Sequence, residues 1–163
     1  MKLYFKLINE SDVEILREIY NYYVQNTTVT FQSNPVDIDY IRKNYPLNSK
    51  QYKTFLIIHE GYAVGYCALE PYKKKKAYNR TAEICIYLKP ENIDKGIGAR
   101  AVRYIEKTAR ENGIKILLAF ITAENEPSVR LFKKLGYYQC AHFKKIGEKF
   151  NRVLDVLVYQ KEI

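Results

Sequence analysis

The segment that most restricts the fold is TAEICIYLKPENIDKGIGARAV, residues 81–102. Residues 81–89 alternate in polarity and carry β-branched and aromatic side chains, which suits a strand well inside a sheet. Pro90 ends that strand. Gly96-Ile97-Gly98 then opens a helix predicted to run to Asn112, with Gly113 as its C-terminal stop. Glycines between a strand and a helix let backbone N–H groups point at an anion, and the positive helix end adds to the attraction. Lys95 and Arg100 lie beside them. The loop lacks the third glycine of a dinucleotide fold and the GK[ST] of a nucleoside triphosphate loop. The spacing alone therefore indicates an anion site, with a plain tight turn as the alternative, and leaves the ligand unnamed.

The rest of the chain supplies the partners of that strand. LYFKLI (3–8) has the apolar and aromatic content of a first strand. Ser11 and Glu14 are spaced as a capping box for a helix over 12–25, with Ile15, Ile19, Tyr22 and Tyr23 at helical intervals. Pro35 and Asp37 open a second helix that ends near Tyr45, before Pro46. YKTFLIIH (52–59) and AVGYCALEPY (63–72) flank the turn Glu60-Gly61-Tyr62 and predict a hairpin. KILLAFIT (115–122) is an apolar strand, and residues 127–135 a short helix between Pro127 and Gly136. Two final strands are expected near 137–146 and 152–160. The order predicts one α/β domain over residues 1–163, a mixed sheet with helices on both faces.

Composition narrows the function classes. The 47% hydrophobic and 28% charged content is that of a globular protein, and no apolar run approaches the roughly 18 residues of a membrane span. The start MKLYFKLINESD has no signal-type apolar stretch, so a cytoplasmic location is expected. Cys67, Cys85 and Cys140 sit in apolar-rich stretches without paired spacing and are expected to be reduced core thiols. His59 and His142 show no metal spacing. The net charge of +9 fits a polyanionic partner, nucleic acid or coenzyme A, or simply a solvated lysine-rich surface.

The ligand is named by resemblance. The strand, G-x-G turn and long helix, followed by ILLAFIT and ENEPSVRLFKKLGY, resemble the GNAT acetyltransferase superfamily. In that family N-x-x-S-x-x-L-[FYH]-x-x-x-G-[FY] follows the cofactor-binding helix. Here the pattern is Asn125, Ser128, Leu131, Phe132, Gly136 and Tyr137. IYNYYVQNTTVTFQSNP (19–35), AYNRTAEICIYL (77–88) and GEKFNRVLDVLVYQ (147–160) resemble the phosphinothricin N-acetyltransferase-like branch, so the likeness spans almost the whole chain.

The resemblance implies the acyl-CoA N-acyltransferase fold and acetyl-CoA as cosubstrate, with no metal. It implies that main chain at Ile86, Tyr87 and Leu88 meets the pantetheine arm, and that Asp94, Lys95, Gly96, Ile97, Gly98 and Ala99 wrap the pyrophosphate. Asn125 would lie beside cofactor and substrate, and Lys134 would reach a phosphate. Lys76, Ala77 and Tyr78 would border the acceptor pocket, with Phe31 and Lys149 nearby. Glu83 is the candidate general base: an ammonium must lose a proton before its nitrogen attacks a thioester, and a partly desolvated carboxylate has the raised pKa for this. A structural or substrate-orienting carboxylate is the alternative. The implied acceptors are small amino acids and analogues, such as methionine derivatives or phosphinothricin, and the implied assembly is a homodimer.

The chain departs from the family at three places. Ile93 and Asp94 stand where Gln or Arg and then Gly are usual, which removes a phosphate ligand and brings in a negative charge. Phe132 replaces a Tyr or His that protonates the leaving thiolate. Lys75 replaces an arginine whose planar fork suits a carboxylate or phosphinate. Two other readings stay open at this level: a protein N-terminal or lysine acetyltransferase, and a non-catalytic module that binds coenzyme A or nucleic acid. Cys85 has no histidine close in sequence and is expected to be structural, as are Arg152 and Asp155 near the last strand.

Overall fold

A computed structural model describes residues 2–163. The chain runs β1 (Leu3–Leu7), α1 (Val13–Asn26), α2 (Ile38–Asn44), β2 (Thr54–His59), β3 (Tyr62–Pro71), β4 (Thr81–Leu88) and α3 (Ile97–Glu111). It continues through β5 (Ile116–Thr122), α4 (Glu126–Lys134), β6 (Tyr138–Lys149) and β7 (Arg152–Glu162). All seven strands form one sheet in the order β1-β2-β3-β4-β5-β7-β6. β4 and β5 are parallel neighbours, and every other adjacent pair is antiparallel. A parallel pair needs a crossover, and α3 supplies it. No described helix is long and apolar enough to cross a membrane.

Each face of the sheet has its own core. Ile97, Val102 and Ile105 of α3 pack with Ile84, Leu117 and Ala119 on one face. Leu16, Ile19, Tyr20 and Tyr23 of α1, with Ile41 of α2, pack on Leu56, Tyr66 and Ala68 on the other. The two-residue period of β4 divides its side chains accordingly: Ala82, Ile84 and Ile86 join the α3 side, Cys85 and Tyr87 the α1 side. Glu83 shares the parity of Cys85 and Tyr87, so the register sets which face it serves.

Local capping differs from the sequence expectation. The capping box is Asn9 and Asp12, around a short 3-10 turn that leads into α1, not Ser11 and Glu14. Asn9 Oδ1 accepts the Ser11 N–H at 2.9 Å, and Asp12 Oδ2 accepts the Asn9 N–H at 2.9 Å. Asp12 is held there by Lys6, 2.7 Å away, whereas Glu14 is occupied by Arg17. The last two strands are longer than expected, because they meet at a tight turn in which Phe150 and Asn151 both have positive φ (53° and 56°). No glycine marks that turn in the sequence. Cys140 is exposed on the edge strand β6, so it is not a core thiol; Cys67 is buried. Lys161 of β7 ties the layers together, donating to buried Glu106 of α3 and to the Leu135 carbonyl, both at 2.8 Å.

Candidate active site

The site begins where two parallel strands part. β4 and β5 are in register only over Thr81–Glu83 and Ile116–Leu118. Beyond that point β4 stays paired with β3 to Leu88 and β5 with β7 to Thr122, so each keeps one open edge. The Lys89 N–H donates to the Val64 carbonyl at 2.8 Å, toward β3. Pleat alternation then turns the N–H and C=O groups of Ile86 and Leu88 the other way, into the gap. The Tyr23 hydroxyl donates to the Leu88 carbonyl there. A cavity of about 410 Å³ fills the gap, lined on its walls by Ile86, Tyr87 and Leu88. Open backbone groups along one strand-wide slot suit an extended chain that carries amides of its own.

One end of this slot is the start of α3. Gly96 has φ +74°, a left-handed conformation that glycine adopts without a Cβ penalty, and Asp94 two residues earlier has φ +62°. The Arg100 N–H finds the Gly96 carbonyl at 3.4 Å; among the described residues no protein acceptor meets the N–H groups of Ile97, Gly98 and Ala99. They are the orphan donors of a helix start, an arrangement that suits phosphate oxygens. A Cβ at Gly98 would stand 3.2 Å from Leu131 Cδ2, so α3 and α4 touch across that glycine.

Asp94, Gly96, Gly98, Ala99, Asn125 and Lys134 all line the cavity. Asn125 also caps α4, accepting the Ser128 N–H at 3.4 Å. Two of the expected cofactor residues stand differently. Ile97 is fully buried and offers only main chain, and Lys95 lies outside the lining with its ammonium 3.5 Å from Asn92 Oδ1. An extended amide arm and a pyrophosphate fit these residues, as coenzyme A requires.

On the α1 side of the sheet a second cavity, about 420 Å³, abuts the first. Ile84, Cys85, Tyr87, Val29 and Phe120 line both, so the two meet at the parting of β4 and β5. Glu83 lines the second cavity, directly opposite Glu70 of β3 in the sheet register. Burial, and next the neighbouring Glu70 charge, push the Glu83 carboxyl up to about 7, with Lys73 opposing. Burial also raises Glu70, which accepts the Cys85 S–H at 3.0 Å. Cys85 itself is pushed far up by burial and then by Glu70, so it stays a thiol. Neither carboxyl has an ion-pair partner among the described residues.

Of the expected acceptor-pocket residues, Phe31 lines this cavity, its ring resting on the bare Cα of Gly147. Lys149 does not line it: its buried ammonium donates to the Thr30 carbonyl at 2.8 Å and so props the 27–34 loop from behind. Lys76, Ala77 and Tyr78 form an exposed turn outside both linings, connected to the mouth through the Tyr78–Tyr72 and Tyr72–Phe120 ring contacts. Glu70, Tyr20, Tyr40, Tyr45 and Thr30 line the cavity without having been singled out in the sequence. The signal for Glu70 was present in principle, a carboxylate at the penultimate position of an otherwise apolar strand.

Other candidates resolve into structural roles. Phe132 lines the first cavity, with Tyr137 edge-on behind it at 4.9 Å. His142 Nε2 lies 2.7 Å from Asp155 Oδ2, and Arg152 pairs with Glu124. Among the described residues, no three His, Cys, Asp or Glu side chains are arranged to hold a metal ion.

Known proteins resemble this chain in sequence and in fold. L-methionine sulfoximine/L-methionine sulfone acetyltransferase of Pseudomonas aeruginosa is 26% identical over 92% of this chain and 88% of its own. Phosphinothricin N-acetyltransferase of Streptomyces coelicolor is 27% identical over 94% and 92%. An acetyltransferase structure from Salmonella typhimurium, solved with its cofactor acetyl-CoA, superposes with a TM-score of 0.90 at 25% identity, covering 99% of this chain and 94% of that one. Residues 5–158 match the acetyltransferase (GNAT) domain, and with the split sheet and glycine-started helix in place, the chain belongs to the GNAT acetyltransferase family.

Proposed function

We propose that this acetyl-CoA-dependent N-acetyltransferase acts on the primary amine of a small molecule by direct transfer, with Glu83 taking the amine proton. Bound acetyl-CoA supplies an acetyl thioester. The orphan N–H groups at the start of α3 and Lys134 hold its phosphates, and the open edge of β4 orients its amide arm toward the seam between the cavities. Glu83 lies one residue from that seam. Its carboxylate accepts the proton an acceptor ammonium must shed; the freed nitrogen attacks the thioester carbonyl, the C–S bond breaks, and the coenzyme A sulfur leaves with the second proton that the nitrogen gives up. Orientation of the two reactants supplies much of the acceleration. Phe132 has no proton to give, and the hydroxyl of Tyr23, which lines the same groove, donates to the Leu88 carbonyl.

The observation that supports this reading most is a carboxyl on the α1-side cavity one residue from the seam, which burial and then Glu70 push up to about 7, so that it can accept a proton near neutral pH. Amino-acid analogues belong in the acceptor panel, since the similar proteins of Pseudomonas aeruginosa and Streptomyces coelicolor are acetyltransferases of such compounds. A homodimer is part of the proposal. Phe143, Ile146, Phe150 and Val153 are exposed on the β6–β7 hairpin and offer an apolar contact surface; light scattering would measure it. The activity itself is tested by thiol release from acetyl-CoA across an amine panel. Turnover that needs both amine and Glu83 supports the reading; thiol release indifferent to Glu83→Gln overturns it.

A further inference from the structure

We infer that the acceptor of this enzyme is a small diamine: one amine reacts at Glu83 while a second, cationic nitrogen is held beside Glu70. This rests on the proposed reading of the α1-side cavity as the acceptor site. Glu70 and Glu83 are cross-strand partners and both line that cavity. No Lys, Arg or His is part of its lining among the described residues. The cation whose charge reaches Glu83, Lys73, is an exposed side chain at the rim, with its ammonium 5.3 Å from the Tyr72 ring centroid.

Two carboxyls facing one partly dry cavity, without a cation between them, are driven toward their neutral forms, and a cationic ligand is what would let them ionise there. The remaining walls add to the preference. Tyr20, Tyr40, Tyr45 and Tyr87 line the cavity, and aromatic faces attract ammonium groups. The Tyr45 and Tyr20 hydroxyls are already engaged, with Tyr66 at 3.2 Å and Thr30 at 2.9 Å. An amino acid acceptor would instead place its carboxylate in a cavity whose lining holds two acids and no Lys or Arg, with Lys73 only at the rim. Burial holds Glu70 above the ordinary carboxylate range, and an ammonium arriving beside it would restore its ionised form.

The test uses three amines of one length with the full-length enzyme: 1,4-diaminobutane, butylamine and 4-aminobutanoate, each followed by thiol release from acetyl-CoA. The expected order of kcat/KM is diamine first and amino acid last, with the diamine at least about tenfold above butylamine, the size of one charge-assisted contact. In Glu70→Gln the diamine-to-butylamine ratio should fall toward one, and Glu70→Asp, which keeps the charge, should restore most of it. A ratio measured within one protein is insensitive to partial loss of folded enzyme. An amino acid used as well as the diamine, or a ratio unmoved by Glu70→Gln, overturns the inference while leaving the acetyltransferase reading intact. Failure to acetylate any amine in a broad panel would overturn both.

Discussion

If Glu83 is the base, the enzyme should switch off around neutrality as it is acidified. An ordinary glutamate ionises near 4.5, whereas burial and the facing Glu70 hold this one near 7. The active form is the carboxylate, so activity is lost as the pH falls through the raised value and is full above it. With one proton involved, roughly a tenth of the enzyme is active at pH 6 and roughly nine tenths at pH 8, a change of about tenfold. The assay is kcat/KM for the amine from pH 5.5 to 8.5, at saturating acetyl-CoA and constant ionic strength. Alkylamines lose their own proton near pH 10, so their limb is separate, and it moves when an amine of different pKa is used. The limb near 7 belongs to the enzyme and should not move. In Glu83→Gln this limb should vanish, with kcat down by about 10²–10⁴-fold and acetyl-CoA binding retained. A profile flat down to pH 5.5, as a glutamate titrating at the ordinary value of 4.5 would give, would refute the assignment.

Three further outcomes follow from the structure. Asp94→Gly should relieve a left-handed φ of +62° and remove a negative charge beside the phosphate cradle. Calorimetry should show acetyl-CoA binding tightened by roughly two- to fivefold, the scale of one charge at a helix start. Gly147→Ala would put a Cβ 2.3 Å from the Phe31 ring and force that ring to move within the acceptor cavity. The amine KM should rise and stability fall by about 1–3 kcal/mol in urea unfolding. Lys161→Met should leave buried Glu106 with only Arg110, 3.9 Å away, and cost about 2–4 kcal/mol by the same measurement, with acetyl-CoA binding unaffected in the folded fraction.

The sequence alone determined those features that depend on near neighbours in the chain. Alternation over residues 81–89, Pro90, the glycines at 96 and 98 and the apolar run 115–122 are local patterns, and each found its element. Because side chains of a strand alternate faces, Glu83, Cys85 and Tyr87 were bound to share one. Where local signals competed, tertiary contacts chose: Lys6 reaches Asp12, so the cap forms at Asn9, and Glu14 is left to Arg17. Phe150-Asn151 turns the chain with no glycine to announce it, since pairing of the two long flanking strands sets that turn.

What no local pattern carried was the juxtaposition of strands. Glu70 and Glu83 are far enough apart in the chain that only the β3–β4 register brings them face to face, and one residue of slip would send Glu70 to the opposite face. The gap between β4 and β5 is likewise a property of how far two strands run together before parting. Lys149 and Thr30 meet across most of the chain length, which turns an expected pocket lysine into a prop beneath a loop. Chemistry that needs two carboxyls, a ring wall and an open strand edge in one place is set by pairing free energies summed over the whole sheet, and those are not encoded in any short stretch of residues.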